Sequence, residues 1–333
     1  MTGAENRPGL VILTGPTAVG KSELSVSLAG QIGGEIISAD SMQVYRHMDI
    51  GSAKIMPDQM GGIPHHLIDV LEPTEEFNVV SFQQLAKKAL QDIYARGRLP
   101  VVAGGTGFYI QALLYDIDFT ENDEDTALRA RLEETAAAQG SEALYERLRS
   151  IDPESCESIH AHNVKRVIRA IEFYEKTGTK ISEHNRRQRE RTSPYNFAYF
   201  VLTDDRERLY GRIEARIDRM LEEGLVEEVA ALAAAGCTRE MVSMQGLGYK
   251  EILDYLDGKA TLEEAIYTLK RDTRHFAKRQ LTWFRRERDV IWINKKEFGY
   301  DDGQILTYIG EVLHEKGIRC SLDGTRTENK AGR

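Results

Sequence analysis

A chain of 333 residues, 41% hydrophobic and 29% charged, is long enough for one large α/β domain or for a core with a smaller second domain, and is composed like a folded, water-soluble protein. It holds no run of about eighteen apolar residues, which excludes a membrane-spanning helix, and the apolar stretch Leu10 to Leu13 behind a polar start is too short for a signal peptide. The net charge of −9 excludes a uniformly basic nucleic-acid binder, but not a local basic surface, which is all that phosphate contacts require.

Leu10-Val-Ile-Leu13 is a short apolar run ending in Thr14-Gly15, the pattern of a buried parallel strand. Lys21 to Leu28 follows as a helix, with Leu24 and Leu28 sharing a face. Glu35 to Ser38 is expected as a second strand, and His66 to Val70 as a short third. Val80 to Ala95 has helical periodicity through Phe82, Leu85, Leu90 and Ile93. Leu99 to Ala103 is the next strand, running into Gly104-Gly-Thr106-Gly107, and Phe108 to Leu114 resumes as a helix. Such alternation predicts an α/β fold, a parallel sheet with helices on both faces, and the P-loop pattern at residues 15–22 described below makes it P-loop NTPase-like.

The character changes near Asp116. Helical patterns cover Thr126 to Ala138, Ser141 to Arg149 and His162 to Tyr174 without an intervening strand, so residues 116–194 read as an all-helical insertion. Within it, His184 to Ser193 is expected as an exit linker or loop. Asn196 to Leu202 returns the chain to the sheet. A long helix from Asp205 to Glu223 and another from Glu227 to Ala235, stopped at Gly236, come next. Thr261 to Arg286 makes one or two more helices, and Val290 to Ile293 a last strand. The core is thus expected in two pieces, 1–115 and 195–322, with a polar, disordered tail at 323–333.

Cys156, Cys237 and Cys320 are far apart and odd in number, which argues against a disulfide framework and fits a reducing cytoplasm. Cys156, His160 and His162 lie close together, but without a second thiolate they do not make a local zinc site. The basic residues are clustered. Lys270 to Arg288 holds eight Lys or Arg against Asp272 and Glu287, and a second group comprises Arg186, Arg187, Arg189 and Arg191. Charge runs usually form a solvated helix face, and Phe276, Trp283 and Phe284 among them read either as base-stacking groups or as core.

Gly15-Pro16-Thr17-Ala18-Val19-Gly20-Lys21-Ser22 matches the P-loop pattern between a predicted strand and a predicted helix. Glycines let backbone N–H groups turn toward phosphate oxygens, the helix start adds partial positive charge, Lys21 adds a full one, and Ser22 can ligate Mg²⁺. Diphosphate binding follows; its fate does not. Asp40, in Ser38-Ala-Asp40-Ser41-Met42-Gln43, should emerge beside the P-loop at the carboxyl edge of the sheet, where ligands of open α/β sheets bind. It reads equally as a turn residue, bonding its own backbone. Thr106 falls at another strand end, on the same rim or in a mere tight turn.

Six segments together resemble the tRNA dimethylallyltransferase family, bacterial type: Gly15 to Ser22, Ser38 to Gln43, Met48 to Lys54, Pro64 to Asp69, Gly104 to Ile110 and Arg274 to Arg285. The likeness runs from about residue 10 to residue 293. It implies transfer of a dimethylallyl group from dimethylallyl diphosphate to N6 of the adenine 3′ to the anticodon, with Mg²⁺. It assigns the P-loop to the donor diphosphate, Asp40 as general base, Thr106 beside the reacting adenine, and Arg216 to the diphosphate. Asp40 to Gln43 matches the segment that holds the flipped base. Arg129, the stretch His162, Asn163, Val164, Lys165 and Arg166, and the stretch Gln245, Gly246, Leu247, Gly248, Tyr249 and Lys250 match tRNA-contacting positions. In the basic patch, Lys278, Arg279 and Arg285 are the expected phosphate contacts. The chain departs from the family at Ala161, His162 and Lys165, and at His275, where an arginine is common, and it lacks the zinc-finger extension of some eukaryotic relatives. The expected partners are the tRNA anticodon arm and dimethylallyl diphosphate, met by a cytoplasmic monomer with no membrane contact.

Three rivals are weighed against this. A small-molecule P-loop kinase explains residues 15–22 but leaves the basic patch and the helical insertion without a role. An adenylate isopentenyltransferase would run the same chemistry on a free nucleotide. An RNA-binding module with a vestigial P-loop is at odds with the intact Lys21, Ser22 and Asp40.

Overall fold

Four central strands, buried over most of their length, force the architecture of the larger unit. β1 (Gly9–Thr14) has one partly exposed residue and then none, and β2 (Gly34–Ser38) has none at all. Strands so buried need cover on both faces, which parallel sheets obtain from crossover helices. The computed structural model describes residues 7–119 and 126–318. It divides into two units, Met1–Leu114 with Pro194–Arg333, and Tyr115–Ser193.

In the larger unit the chain runs β1, α1 (Lys21–Ile32), β2, β3 (His65–His66), α2 (Val79–Ala95), β4 (Leu99–Gly104) and α3 (Gly107–Leu114). The smaller unit adds α4 (Thr126–Gln139), α5 (Ser141–Ile151), α6 (Val164–Thr177) and α7 (Ile181–Glu190). The larger unit resumes with β5 (Asn196–Thr203), α8 (Arg206–Glu222), α9 (Leu225–Ala234), α10 (Tyr249–Leu256), α11 (Leu262–Phe284), β6 (Val290–Asn294) and α12 (Asp302–Glu315). The sheet order is β3-β2-β4-β1-β5-β6, every pairing parallel. From β1 the chain skips a position to reach β2, β4 fills the gap, and β5 joins the other side of β1. The carboxyl ends of β1, β2 and β4 therefore open on one crevice, at the switch point where such sheets bind ligands.

Helix ends follow local chemistry. Asn78 caps α2 by accepting from Val80 and Ser81 N–H at 2.9 and 3.1 Å, a contact worth about 1 kcal/mol. Thr261 and Glu264 form a reciprocal capping box on α11, which then runs as one helix with a buried stripe of Ala265, Leu269, Ala277, Gln280 and Phe284. The loop 48–54 is held from below. Glu228 of α9 accepts from the N–H groups of Asp49, Ile50 and Gly51 at 2.7–3.0 Å and from the Tyr249 hydroxyl at 2.8 Å. The buried Lys54 ammonium donates to the Tyr45 carbonyl, Asp49 and Asp69. Removing one partner of such a buried charged network costs about 1–3 kcal/mol.

The smaller unit packs Leu132, Leu144, Leu148, Val167, Ile168 and Ile171 into a core of its own. Here the structure corrects one expectation: His184 to Ser193 is no linker, because most of it belongs to α7. The helix presents no apolar stripe to betray it. Instead Asp152 secures its first turn, accepting from Ser182 N–H at 2.9 Å and from its hydroxyl at 2.6 Å. A second correction concerns His66 to Val70. The strand is only His65–His66, because Leu67 and Asp69 have positive φ (65° and 54°) and turn the chain away. Neither α10 nor α12 was foreseen. The expected tail at 323–333 and Cys320 lie outside the described residues. Among the described residues no helix is long and apolar enough to cross a membrane.

Candidate functional site

The turn after β1 is built to present N–H groups. Gly15 and Gly20 have φ of 148° and 96°, Ala18 joins them at 63°, and a side chain on Gly15 would meet the Leu202 carbonyl. Such a left-handed sequence makes an anion-binding nest, and Lys21 and Ser22 open α1 directly behind it. Lys21 Nζ donates to the Pro16 carbonyl at 2.8 Å and so folds back over the loop. Thr17 departs from the simple picture: its N–H donates to Gln280 Oε1 at 2.8 Å, leaving its hydroxyl, 3.3 Å from Arg216 Nη1, to face a ligand.

The ends of β2 and β4 cross beside it. Ala39 N–H donates to the Ala103 carbonyl at 2.8 Å, Thr106 N–H to the Ala39 carbonyl at 3.2 Å, and a Cβ on Gly104 would collide with the Ala39 backbone. That closeness brings Asp40 and Thr106 to one rim. Asp40 Oδ1 accepts from Met42 N–H at 2.8 Å and Gln43 N–H at 3.3 Å. The turn reading of Asp40 therefore holds. One oxygen makes the turn, and the other has no hydrogen bond among the described residues while the residue lines the crevice.

The crevice has a volume of about 490 Å³. Thr17, Ala18, Lys21 and Ser22 line it from the P-loop, Asp40 to Gln43 and Thr106 from the neighbouring turns, and Arg216 from α8. Gln245 to Gly248 and Lys250 close another side, with Phe276, Arg279 and Gln280 of α11 opposite. Apolar Ile36, Ile55, Phe77, Ile213, Ile217 and Met220 supply dry wall between the polar groups. Burial, with the nearby charge of Arg216, pulls the Lys21 ammonium down to about 8, and Asp40 acts against them. Burial likewise draws Arg216 below the usual guanidinium value, Asp40 opposing and Arg219 adding to it. Two cations crowded in a low-dielectric pocket are a site waiting for negative charge. No cluster of three or more His, Cys, Asp or Glu able to hold a metal occurs among the described residues.

Other predicted residues lie apart from the crevice or support it. Gly15, Pro16, Val19 and Gly20 form the backbone of the loop. Tyr249 is fully buried, with its hydroxyl on Glu228, so it braces the 48–51 loop from inside. In the smaller unit, Arg129 makes a two-pronged pair with the buried Glu172 at 3.0 and 2.9 Å. His162, Asn163, Lys165 and Arg166 are exposed, with Asn163 capping α6 and Val164 packed on the core. On α11 the basic run divides in two. Lys270 and Arg274 are neutralised by Asp218 and Glu214 of α8, and Arg271 by Asp272. Lys278, Arg279 and Arg285 make no ion pair among the described residues, and with His275, Trp283 and Arg286 the first two surround a second, open depression. Of the aromatics, Phe284 is core, Trp283 packs on Gly107 and Phe108, and Phe276 lines the crevice. The residue missed in the sequence is Gln280. Its signal was a lone amide on the buried stripe of a basic helix.

Comparison with known proteins follows the same outline. A family model described as IPP transferase matches residues 43–287, and one described as isopentenyl transferase matches residues 8–71. The tRNA dimethylallyltransferase of Lachnoclostridium phytofermentans is 60% identical over 309 residues, 93% of this chain and 98% of that protein. Its counterpart from Acetivibrio thermocellus is 50% identical over the same shares. The crystal structure of a tRNA isopentenylpyrophosphate transferase from Bacillus halodurans superimposes with a TM-score of 0.70 at 45% identity, covering 93% of this chain and 98% of that one. A eukaryotic dimethylallyltransferase described as acting on tRNA gives a TM-score of 0.75 at 31% identity, over 86% and 74% of the two chains.

Proposed function

The chain belongs to the IPP transferase family, and from that premise we propose that its crevice transfers a dimethylallyl group from dimethylallyl diphosphate to N6 of the adenine 3′ to the anticodon of tRNA. The observation that carries this reading is the meeting, in one crevice, of an anion nest and an unengaged carboxylate oxygen some twenty residues apart in sequence.

The adenine amino group is a poor nucleophile because its lone pair is delocalised into the ring. Asp40 accepts the N6 proton as the new C–N bond forms, help typically worth about 10²- to 10⁴-fold. As the allylic C–O bond breaks, charge grows on the leaving diphosphate, where the P-loop N–H groups, Lys21, Arg216 and the Thr17 hydroxyl receive it. Thr106 stands on the acceptor side beside Asp40. The apolar wall excludes water from the allylic carbon. The adenine enters by leaving its stack, as base-modifying enzymes require.

The residues fit Mg²⁺. Ser22 Oγ lines the crevice with no hydrogen bond among the described residues, and a hard cation held by one hydroxyl and the donor's own phosphate oxygens needs no carboxylate cage. When bound, the ion supplies further stabilisation of charge on the departing diphosphate.

Lys278 and Arg285 beyond the crevice, with Arg279 at its rim, contact tRNA phosphates, and the smaller unit, through exposed His162, Asn163, Lys165 and Arg166, holds the anticodon arm. The test is transfer from labelled dimethylallyl diphosphate to bulk tRNA, with AMP and ATP as alternative acceptors. Label in N6-modified adenosine of tRNA supports the reading; label on AMP or ATP alone, or phosphoryl transfer instead, sinks it. Affinity for tRNA is expected to fall with salt, log affinity against log salt having a slope of about −0.7 to −0.9 per phosphate contact despite the net charge. Neutralising Lys278, Arg279 and Arg285 together removes three such contacts and makes that slope shallower by about 2 to 3. An unchanged slope in the triple variant means this face of α11 is only solvated.

A further inference from the structure

Gln280 ties together two loops that the sheet leaves apart. The ladder between β1 and β4 ends at the pairing of Thr14 with Gly104, where the Thr14 hydroxyl also donates to the Gly104 carbonyl at 2.6 Å. Beyond it the two chains separate, one into the P-loop and the other into the turn of Thr106. The Gln280 side chain, on a residue 6% exposed, bridges them: Oε1 accepts from Thr17 N–H at 2.8 Å and Nε2 donates to the Gly105 carbonyl at 2.9 Å. A backbone N–H can only donate and a carbonyl only accept, so a single orientation of the amide satisfies both. Gly105 admits this approach because a side chain there would collide with the Gln280 amide.

The placement has chemical meaning. Thr17 lies on the diphosphate side of the crevice and Gly105 directly precedes Thr106 on the adenine side, so this amide sets the distance between donor and acceptor loops. It also projects from α11, two residues from Lys278 and next to Arg279. Resting on the reading of the site given above, we propose that Gln280 is a positioning residue. It fixes the gap across which the prenyl group passes, and makes that gap depend on the seating of the helix that meets RNA phosphates. Both polar ends of its amide are spent on the two loops. Loss of alignment by about 1 Å in such a site costs on the order of 100-fold in rate.

The experiment uses the full chain and two variants. Gln280→Met keeps the length and removes both hydrogen bonds. Gln280→Glu keeps the acceptor for Thr17 but loses the donor to Gly105, except where the introduced carboxyl is protonated. Single-turnover transfer, dissociation constants for dimethylallyl diphosphate and tRNA, amide exchange at Thr17 and the thermal midpoint are measured from pH 5.5 to 8. For Gln280→Met the expected result is a transfer rate lowered by about 10- to 100-fold. Both dissociation constants stay within about threefold of wild type, and the Thr17 amide exchanges faster. For Gln280→Glu the rate relative to wild type recovers as pH falls. A wild-type rate and wild-type Thr17 exchange in Gln280→Met overturn the proposal. So does a loss that follows the thermal midpoint and shows no recovery of Gln280→Glu in acid, since that is the signature of packing alone. A wild-type chain that transfers nothing to tRNA fails before any variant is made, and then it is the reading of the site that falls; Thr17 exchange still reports whether the clamp exists.

Discussion

Replacing Asp40 by alanine is expected to slow single-turnover prenyl transfer by about two to four orders of magnitude while leaving the affinities for tRNA and donor nearly unchanged. The geometry makes the measurement more demanding than a rate alone, because Asp40 Oδ1 also holds the turn through Met42 and Gln43 N–H. Asp40→Asn separates the two duties. Its side-chain oxygen retains the turn, whereas the amide cannot take up a proton. If asparagine is as slow as alanine and as stable as wild type, the proton-accepting role stands. If asparagine restores the rate, Asp40 was a turn residue and the base lies elsewhere.

The second large effect belongs to Lys21. Lys21→Met should lower the transfer rate by about 10²- to 10³-fold, the usual loss when one preorganised charge facing a developing anion is removed. A pH signature accompanies it. In the free protein Lys21 loses its proton near pH 8. Donor diphosphate binds the ammonium form, so below pH 8 binding takes up no proton there. Above it binding must restore one, and donor affinity falls by as much as tenfold per pH unit. Lys21→Met abolishes this slope. The sign for stability is opposite to that for activity: a lysine whose value is lowered by folding penalises the native state while charged, so the penalty is present at neutral pH and is relieved as pH rises from about 8 toward 10.5. The methionine variant should therefore melt no lower than wild type at pH 7. A lower midpoint, or an unchanged pH dependence of donor binding, would show that Lys21 braces the loop and leaves the anion to others.

The strand-and-helix alternation of the core was legible because buried parallel strands are apolar runs and P-loop glycines have one conformational use. Asp40 and Thr106 were legible as strand-end residues. What escaped was whatever depends on partners distant in sequence. α7 has almost no apolar residue, so periodicity is silent, and its first turn is held by Asp152, a partner 30 residues earlier. The division of α11 into a neutralised half and a free half depends on Asp218 and Glu214 of α8. Tyr249 looks like a surface contact in a polar segment until Glu228 is found beneath it. Gln280 is one letter in a basic run, and its meaning needs Thr17, 263 residues earlier.

That separation bears on how the chain comes to its final form. β1 precedes the other five strands of this sheet in the chain, yet it sits between β4 and β5, and β5 is synthesised only after the whole of Tyr115–Ser193. Until then one edge of β1, with its run of Leu10, Val11, Ile12 and Leu13, has no neighbour, and an open apolar edge is a template for wrong pairing. Contacts of such long range are slow to close. A chain released early, or cut ahead of β5, is thus left as a sticky half-sheet with an unsupported nest, so the integrity of this protein during synthesis depends on the interval in which that edge stands open.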